Sequence, residues 1–155
     1  MPAIRPDVES AIRHTMPALD VNLSDPSGYV CCPAFGSFPA MDKESQFATS
    51  GWNLSIAEEL GHDIMVQCGS CYSSLHMGLE HLHEDEELRN KVNELLKPTG
   101  REVKCTGKVR HVTDILYNEV GTEKITENIK HTLDGVHGIV QYPCHTLFPS
   151  EVVGF

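Results

Sequence analysis

Two groups of cysteines carry the spacing that chemistry needs: the adjacent pair Cys31-Cys32 in "GYVCCPAFGSF" and the Cys-x-x-Cys of Cys68 and Cys71 in "QCGSC". Thirty-five residues lie between the two groups. Successive side chains of an extended segment point to opposite faces, so neighbouring thiols do not naturally grip one ion. A disulfide between them is strained relative to ordinary bridge geometry. A Cys-x-x-Cys at a strand-to-helix turn brings two sulfurs within reach of one centre, and helix N-terminal amides favour thiolate there. Taken alone, that motif also suits a thioredoxin-like dithiol, which leaves the adjacent pair unused. Structural zinc fits two Cys-x-x-Cys pairs better than this combination. An iron–sulfur cluster draws several thiolates into one cavity. A centre of more than one iron has ligand positions facing different ways, and there the divergence of neighbouring thiols is no obstacle.

These residues sit in a chain of 155 residues with six cysteines and a net charge of −10. The length is that of one ordinary domain with a real core. The apolar and charged shares indicate neither disorder nor a coiled coil. The negative charge excludes a nucleic-acid partner, since no basic stripe is present to neutralise phosphates. No apolar run approaches the roughly 20 residues of a membrane span. The opening "MPAIRPDVES" is no signal h-region, so a cytoplasmic location is expected. In a reducing compartment, cysteines serve as ligands or redox groups rather than as disulfides.

The elements that must position the thiols follow from periodicity. Residues 4–19 read as a helix through Val8, Ile12 and Met16, and "DVNLSD" as a short strand before the turn "DPSG". "MDKESQFATSGWNLSIAEELG" reads as a helix burying Phe47, Leu54, Ala57 and Leu60, with Gly61 as its C-cap and Gly51 weakening its middle. "HDIMVQC" is a strand ending on Cys68. From Cys71 a long helical pattern runs to Pro98 and Gly100, broken near "HEDEE", with Leu75, Leu79, Leu82, Leu88, Val92 and Leu95 as its stripe. "GKVRHVTDILYNEVG" reads as a strand running into a short helix. "EKITENIKHTL" is a further helix with Ile125 and Ile129 on one face, and "HGIVQYPC" a closing strand that ends on Cys144. Strands alternating with helices predict an α/β fold with a mostly parallel sheet flanked by helices. In such sheets ligands bind beyond the carboxyl ends of the strands, where Cys68 and Cys144 stand and which Cys31 and Cys32 could reach.

The pair, the gap and the Cys-x-x-Cys, together with "CCPAFGSF", "NLSIAEELGHDIMVQCGSCYSSL" and "ELRNKVNELL", resemble the N-terminal cysteine-rich CCG domain of the heterodisulfide reductase B-type subunit and its relatives. "YPCHTLFPSEVVGF" is similar to the opening of a second such motif. The resemblance implies one CCG domain over residues 1–141 and the incomplete start of a second over 142–155. It implies a noncubane [4Fe-4S] cluster on Cys31, Cys32, Cys68 and Cys71, with Cys144 as first ligand of a second cluster and His145 lining the substrate site. It implies reductive cleavage of the coenzyme M–coenzyme B disulfide, with an iron–sulfur electron-transfer subunit and a flavoprotein subunit as partners. Two departures stand out. Pro33 occupies the place of the family's glycine after the pair, and the family's first cysteine, which precedes the pair, is missing from the 30 residues before Cys31. That pattern is the one a truncated chain, a mis-assigned start or a split gene produces.

The remaining groups have plainer readings. Cys105 matches no motif position and reads as a packing cysteine. His145 reads equally as an ordinary loop histidine. His76 and His81 are five apart, poor spacing for one helix face, and read with "EDEE" as a solvated helix surface. No Gly-rich phosphate loop and no GxSxG elbow is present. Two rivals to the disulfide reductase remain: a CCG-type subunit of other redox chemistry, and a non-catalytic binding domain with structural zinc on the four clustered cysteines.

Overall fold

Helical periodicity carries most of the chain into helix in the computed structural model, which describes residues 5–34, 36–141, 144–147 and 150. Two compact units form, Met1–Asp25 with Val112–Gln141 and Pro26–His111 with Tyr142–Phe155.

The second unit holds the clustered cysteines. Its first helices are α2 (Phe38–Met41) and α3 (Lys43–Leu60). Asp42 caps α3 by accepting a hydrogen bond from the Ser45 amide at 3.2 Å, and Gly61 ends it in the left-handed region at φ 68°. Strand β1 (Ile64–Val66) leads into α4 (Gly69–Glu84) and α5 (Glu86–Leu96). Asp85 separates these two helices and caps the second, accepting from the Leu88 amide at 2.9 Å. Strand β2 (Val109–His111) then pairs with β1 in parallel, Ile64 opposite Val109 and Val66 opposite His111. Both strands therefore end on the same edge. Apolar faces of α3, α4 and α5 close over the strands in one core, with Leu54, Leu82, Val92 and Val103 among the most buried residues. Two glycines allow the close approach. A Cβ on Gly51 would stand 2.9 Å from Val92 Cγ1, and one on Gly78 would stand 2.5 Å from Ser50 Cβ.

The other unit contains α1 (Pro6–Ala18), α6 (Val112–Asp114) followed by a π-helical stretch Ile115–Val120, and α7 (Thr122–Glu127). Met16, Leu19 and Ile115 are its buried apolar residues, and Lys124 pairs with Asp20 at 2.7 Å.

The α/β class holds, with a smaller sheet than the sequence suggests: among the described residues it has two strands. Residues 21–26 are irregular rather than a strand. The segment expected to form the closing strand is also irregular through Gln141, and Ile139 in it is fully exposed; Tyr142 and Pro143 lie outside the described residues. Helix α7 stops at Glu127, leaving Ile129 exposed. Leu60 and Leu95 are exposed as well. The new start at Glu86 sets the stripe of α5 as Leu88, Val92 and Leu96, one turn apart, which turns Leu95 outward. Gly51 does not weaken α3 but seats it against α5.

Candidate functional site

The shared carboxyl edge of the strands is where the thiols gather. Two residues after β1, Cys68 is the N-cap of α4, with extended backbone at φ −118° and ψ 125°. Cys71 follows in the first turn of the same helix, at the positive end of the helix dipole.

Cys31 and Cys32 arrive on an irregular loop that three side chains tie to the helices. Trp52 Nε1 donates to the Gly28 carbonyl at 2.8 Å, Asn53 bonds Val30 and Ser74 bonds Pro33. Arg101 lies over the Trp52 ring at 4.8 Å and pairs with Glu59 at 3.0 Å, steadying the outer end of this tether. The two adjacent thiols differ in exposure. Cys31 is exposed, while Cys32 is half-buried and packs against the core cluster, as Cys71 does.

Cys32 and Cys71 meet, with their sulfurs 2.8 Å apart. That separation exceeds the roughly 2.05 Å of a disulfide, and all six cysteines are thiols. The hydrogen bond with Cys71 holds Cys32 below the ordinary thiol range against the opposing effect of burial. The same bond, with burial, pushes Cys71 far above it. Cys31 and Cys68 both act on the charge of Cys32, and Cys68 acts on that of Cys71, so the four thiols form one electrostatic group.

Two thiolates this close repel strongly unless a proton or a cation stands between them. The donor set is entirely sulfur and lies at a helix N-terminus, which fits a thiolate-bound iron–sulfur centre. Among the described residues, no group of three or more His, Cys, Asp or Glu is arranged to hold a single metal ion.

Cys144 and His145 belong to a single 3-10 turn, Cys144–Thr146, that packs against α4. Cys144 is exposed and His145 half-buried. Among the described residues, no hydrogen bond joins Cys144 to Cys31, Cys32, Cys68 or Cys71. Cys105 packs against the core as a half-buried thiol, pushed up to about 11 by burial and by Glu58. Its backbone is left-handed at φ 59°. The Glu58 carboxylate holds it there, accepting from Lys104 N at 2.8 Å and Thr106 N at 2.9 Å.

Several neighbours of the site escape sequence reasoning. Tyr72, beside Cys71, stacks on His76 at 5.2 Å and meets His111 edge-on at 5.9 Å. His76 is thus not a solvated surface group, although His81 is exposed, with its ring edge-on to Phe47. Tyr72 and His76 are one turn apart, but only the fold brings His111 to them. Asn53 and Ser74 carry no motif, and their part appears only once the loop is in place.

Residues 1–76 match the family described as CCG, the cysteine-rich domain, and this span holds Cys31, Cys32, Cys68 and Cys71. The chain carries a CCG cysteine-rich domain. It is similar to a protein of Archaeoglobus profundus described as like the B-type subunit of heterodisulfide reductase, 44% identical over 148 residues, covering 96% of this chain and 50% of the relative. It is 36% identical over 146 residues to the B-type subunit of the ferredoxin/F(420)H(2)-dependent CoB-CoM heterodisulfide reductase of Methanosarcina acetivorans, covering 94% of this chain and 48% of the relative. More distant is the "8-methylmenaquinol:fumarate reductase membrane anchor subunit" of Wolinella succinogenes, 24% identical over 147 residues, covering 95% of this chain and 50% of the relative. The chain thus spans about half the length of the relatives it matches. Among the described residues of this CCG protein, no helix is long and apolar enough to cross a membrane.

Proposed function

We propose that this CCG protein is the cluster-holding part of a cytoplasmic redox subunit that reductively cleaves the disulfide between coenzyme M and coenzyme B. The contact between Cys32 and Cys71 sulfurs, at 2.8 Å within the CCG-matched span, is the observation that carries this reading. The residues to hold a noncubane [4Fe-4S] cluster are Cys31, Cys32, Cys68 and Cys71. When bound, such a cluster supplies single electrons and a thiol-seeking metal for disulfide cleavage.

The chain's own contribution is placement and shielding. Cys68 and Cys71 present their sulfurs from the N-cap and first turn of α4, at the positive end of the helix dipole. The half-burial of Cys32 and Cys71, with Pro33 buried beside them, screens one side of the site from water. The exposed Cys31 marks the open side. Cys144 is the first ligand of a second cluster, and His145 beside it lines the substrate site. Residues 1–141 form the first CCG domain and 142–155 begin the next. An iron–sulfur electron-transfer subunit and a flavoprotein subunit are the partners in this reading.

A second reading has one specific support, the similarity to a fumarate reductase subunit: a CCG protein that passes electrons in other redox chemistry. Reoxidation of the iron-loaded, dithionite-reduced protein separates the two. The coenzyme M–coenzyme B disulfide should reoxidise it, one disulfide accepting two electrons. Reoxidation by other acceptors with no response to the disulfide would favour the second reading.

A further inference from the structure

Fully buried polar side chains cost desolvation free energy unless they are matched, so each one calls for a partner. Two of them face the cysteine loop. Asn53 on α3 is 1% exposed and Ser74 on α4 is 0% exposed. The Asn53 carboxamide binds one residue twice: Oδ1 accepts from the Val30 amide at 3.1 Å, and Nδ2 donates to the Val30 carbonyl at 3.0 Å. Ser74 Oγ donates to the Pro33 carbonyl at 2.7 Å. Val30 immediately precedes Cys31, and Pro33 immediately follows Cys32.

We propose that Asn53 and Ser74 are the positioning residues of the thiol site, clamping the backbone on both flanks of Cys31-Cys32 and thereby setting the distance between the Cys32 and Cys71 sulfurs. Each residue has two soft backbone dihedrals, so a loop held at one end lets its sulfurs wander. Held at both ends, it leaves only the torsions of the pair itself. Ser74 lies three residues beyond Cys71, on the neighbouring turn of the same helix. One stretch of α4 therefore carries both a thiol and the hydroxyl that grips the opposing loop. Asn53 adds a second anchor from a helix that has no cysteine. The amide offers both a donor and an acceptor to Val30, whereas an aspartate there can only accept. The glycine at position 78 supports this geometry by letting α4 lie close on Ser50, one turn before Asn53.

The inference deepens the cluster reading, but the clamp acts on the metal-free chain and is tested there. The reduced, metal-free protein is treated with diamide. The Cys32 and Cys71 sulfurs join in a disulfide while two electrons and two protons pass to the N=N bond, giving the hydrazine. Differential alkylation and mass spectrometry give the rate for that pair. Asn53→Ala and Ser74→Ala are expected to slow it roughly tenfold or more, as the reacting atoms lose their preset approach. Asn53→Asp, which keeps the acceptor for the Val30 amide, falls between these and wild type.

Asn93 is the control. It makes the same two-point contact with Val103, at 2.8 and 3.1 Å, on a helix without cysteines. Asn93→Ala should lower the melting temperature by a comparable amount and leave the rate unchanged. A wild-type rate in folded Asn53→Ala and Ser74→Ala overturns the proposal, and so does equal slowing in Asn93→Ala. If Asn53→Ala fails to fold by circular dichroism, Ser74→Ala and Asn53→Asp decide by the same criteria. Failure of the cluster reading leaves this outcome untouched, because no metal enters the measurement.

Discussion

The sulfurs of Cys32 and Cys71 lie 2.8 Å apart across 39 positions of sequence, one on an irregular loop and the other in the first turn of a helix. The contact couples the two thiols, holding Cys32 below the ordinary thiol range and Cys71 above it. Thiolates held this close repel one another, and a cation-rich centre neutralises them. The close contact thus expresses both the acid–base state of the free pair and its fitness as a ligand set.

Cysteine substitutions separate ligands from packing groups. Cys32→Ala and Cys68→Ala are expected to abolish the visible absorption of anaerobically purified protein and its bound iron. Cys105→Ala is expected to leave both intact, because Cys105 lies against the core and apart from the thiol group. Equal loss in the Cys105 variant would mean that the ligands are wrongly assigned.

Cys105 also gives the stability a defined pH dependence. Its thiol rises from an ordinary 9.0 to about 11 in the folded chain, mainly through burial. Below 9.0 it is neutral whether the chain is folded or unfolded, and its contribution is fully present. Between 9.0 and about 11 the unfolded chain ionises first, so the folded state loses stability as pH rises. Urea unfolding across this window should show a downward slope that is shallower in Cys105→Ala. Identical slopes would refute the assignment.

The contact between α3 and α4 at Gly78 leaves no room for a side chain. Gly78→Ala brings its Cβ to 2.5 Å from Ser50 Cβ and is expected to cost about 1–3 kcal/mol by overpacking. Ser50→Gly in the same chain should recover part of that loss, because the two sites share one contact. Urea denaturation of both variants checks this, and additive effects would show that the helices relax apart instead.

Much of this architecture is legible in the sequence, and the misses have physical reasons. The apolar spacing of Leu75, Leu79 and Leu82, the stop at Gly61 and the break before Glu86 are local signals: the leucines form the buried stripe of α4, and the other two fall where helices end or begin. The segments 20–25 and 136–141 have strand-like apolar residues without strand structure. A strand depends on a neighbour to pair with, which its own residues do not specify. The adjacent cysteines and the Cys-x-x-Cys are legible because their residue types and spacing are rare together. Asn53 and Ser74 are not, since mid-helix Asn and Ser read only as weak helix formers. Their value lies in carbonyls and amides more than twenty residues away, at Val30 and Pro33. His76 stacks on Tyr72, whose other ring partner His111 is brought near only by the β1–β2 pairing.

The identity of the bound centre is the point on which the functional account stands. Iron, zinc and acid-labile sulfide measured on anaerobically purified protein test it most directly. The account predicts brown protein with about four iron atoms per chain and inorganic sulfide to match. Colourless protein carrying one zinc ion and no sulfide, with exposure to air excluded, would contradict it.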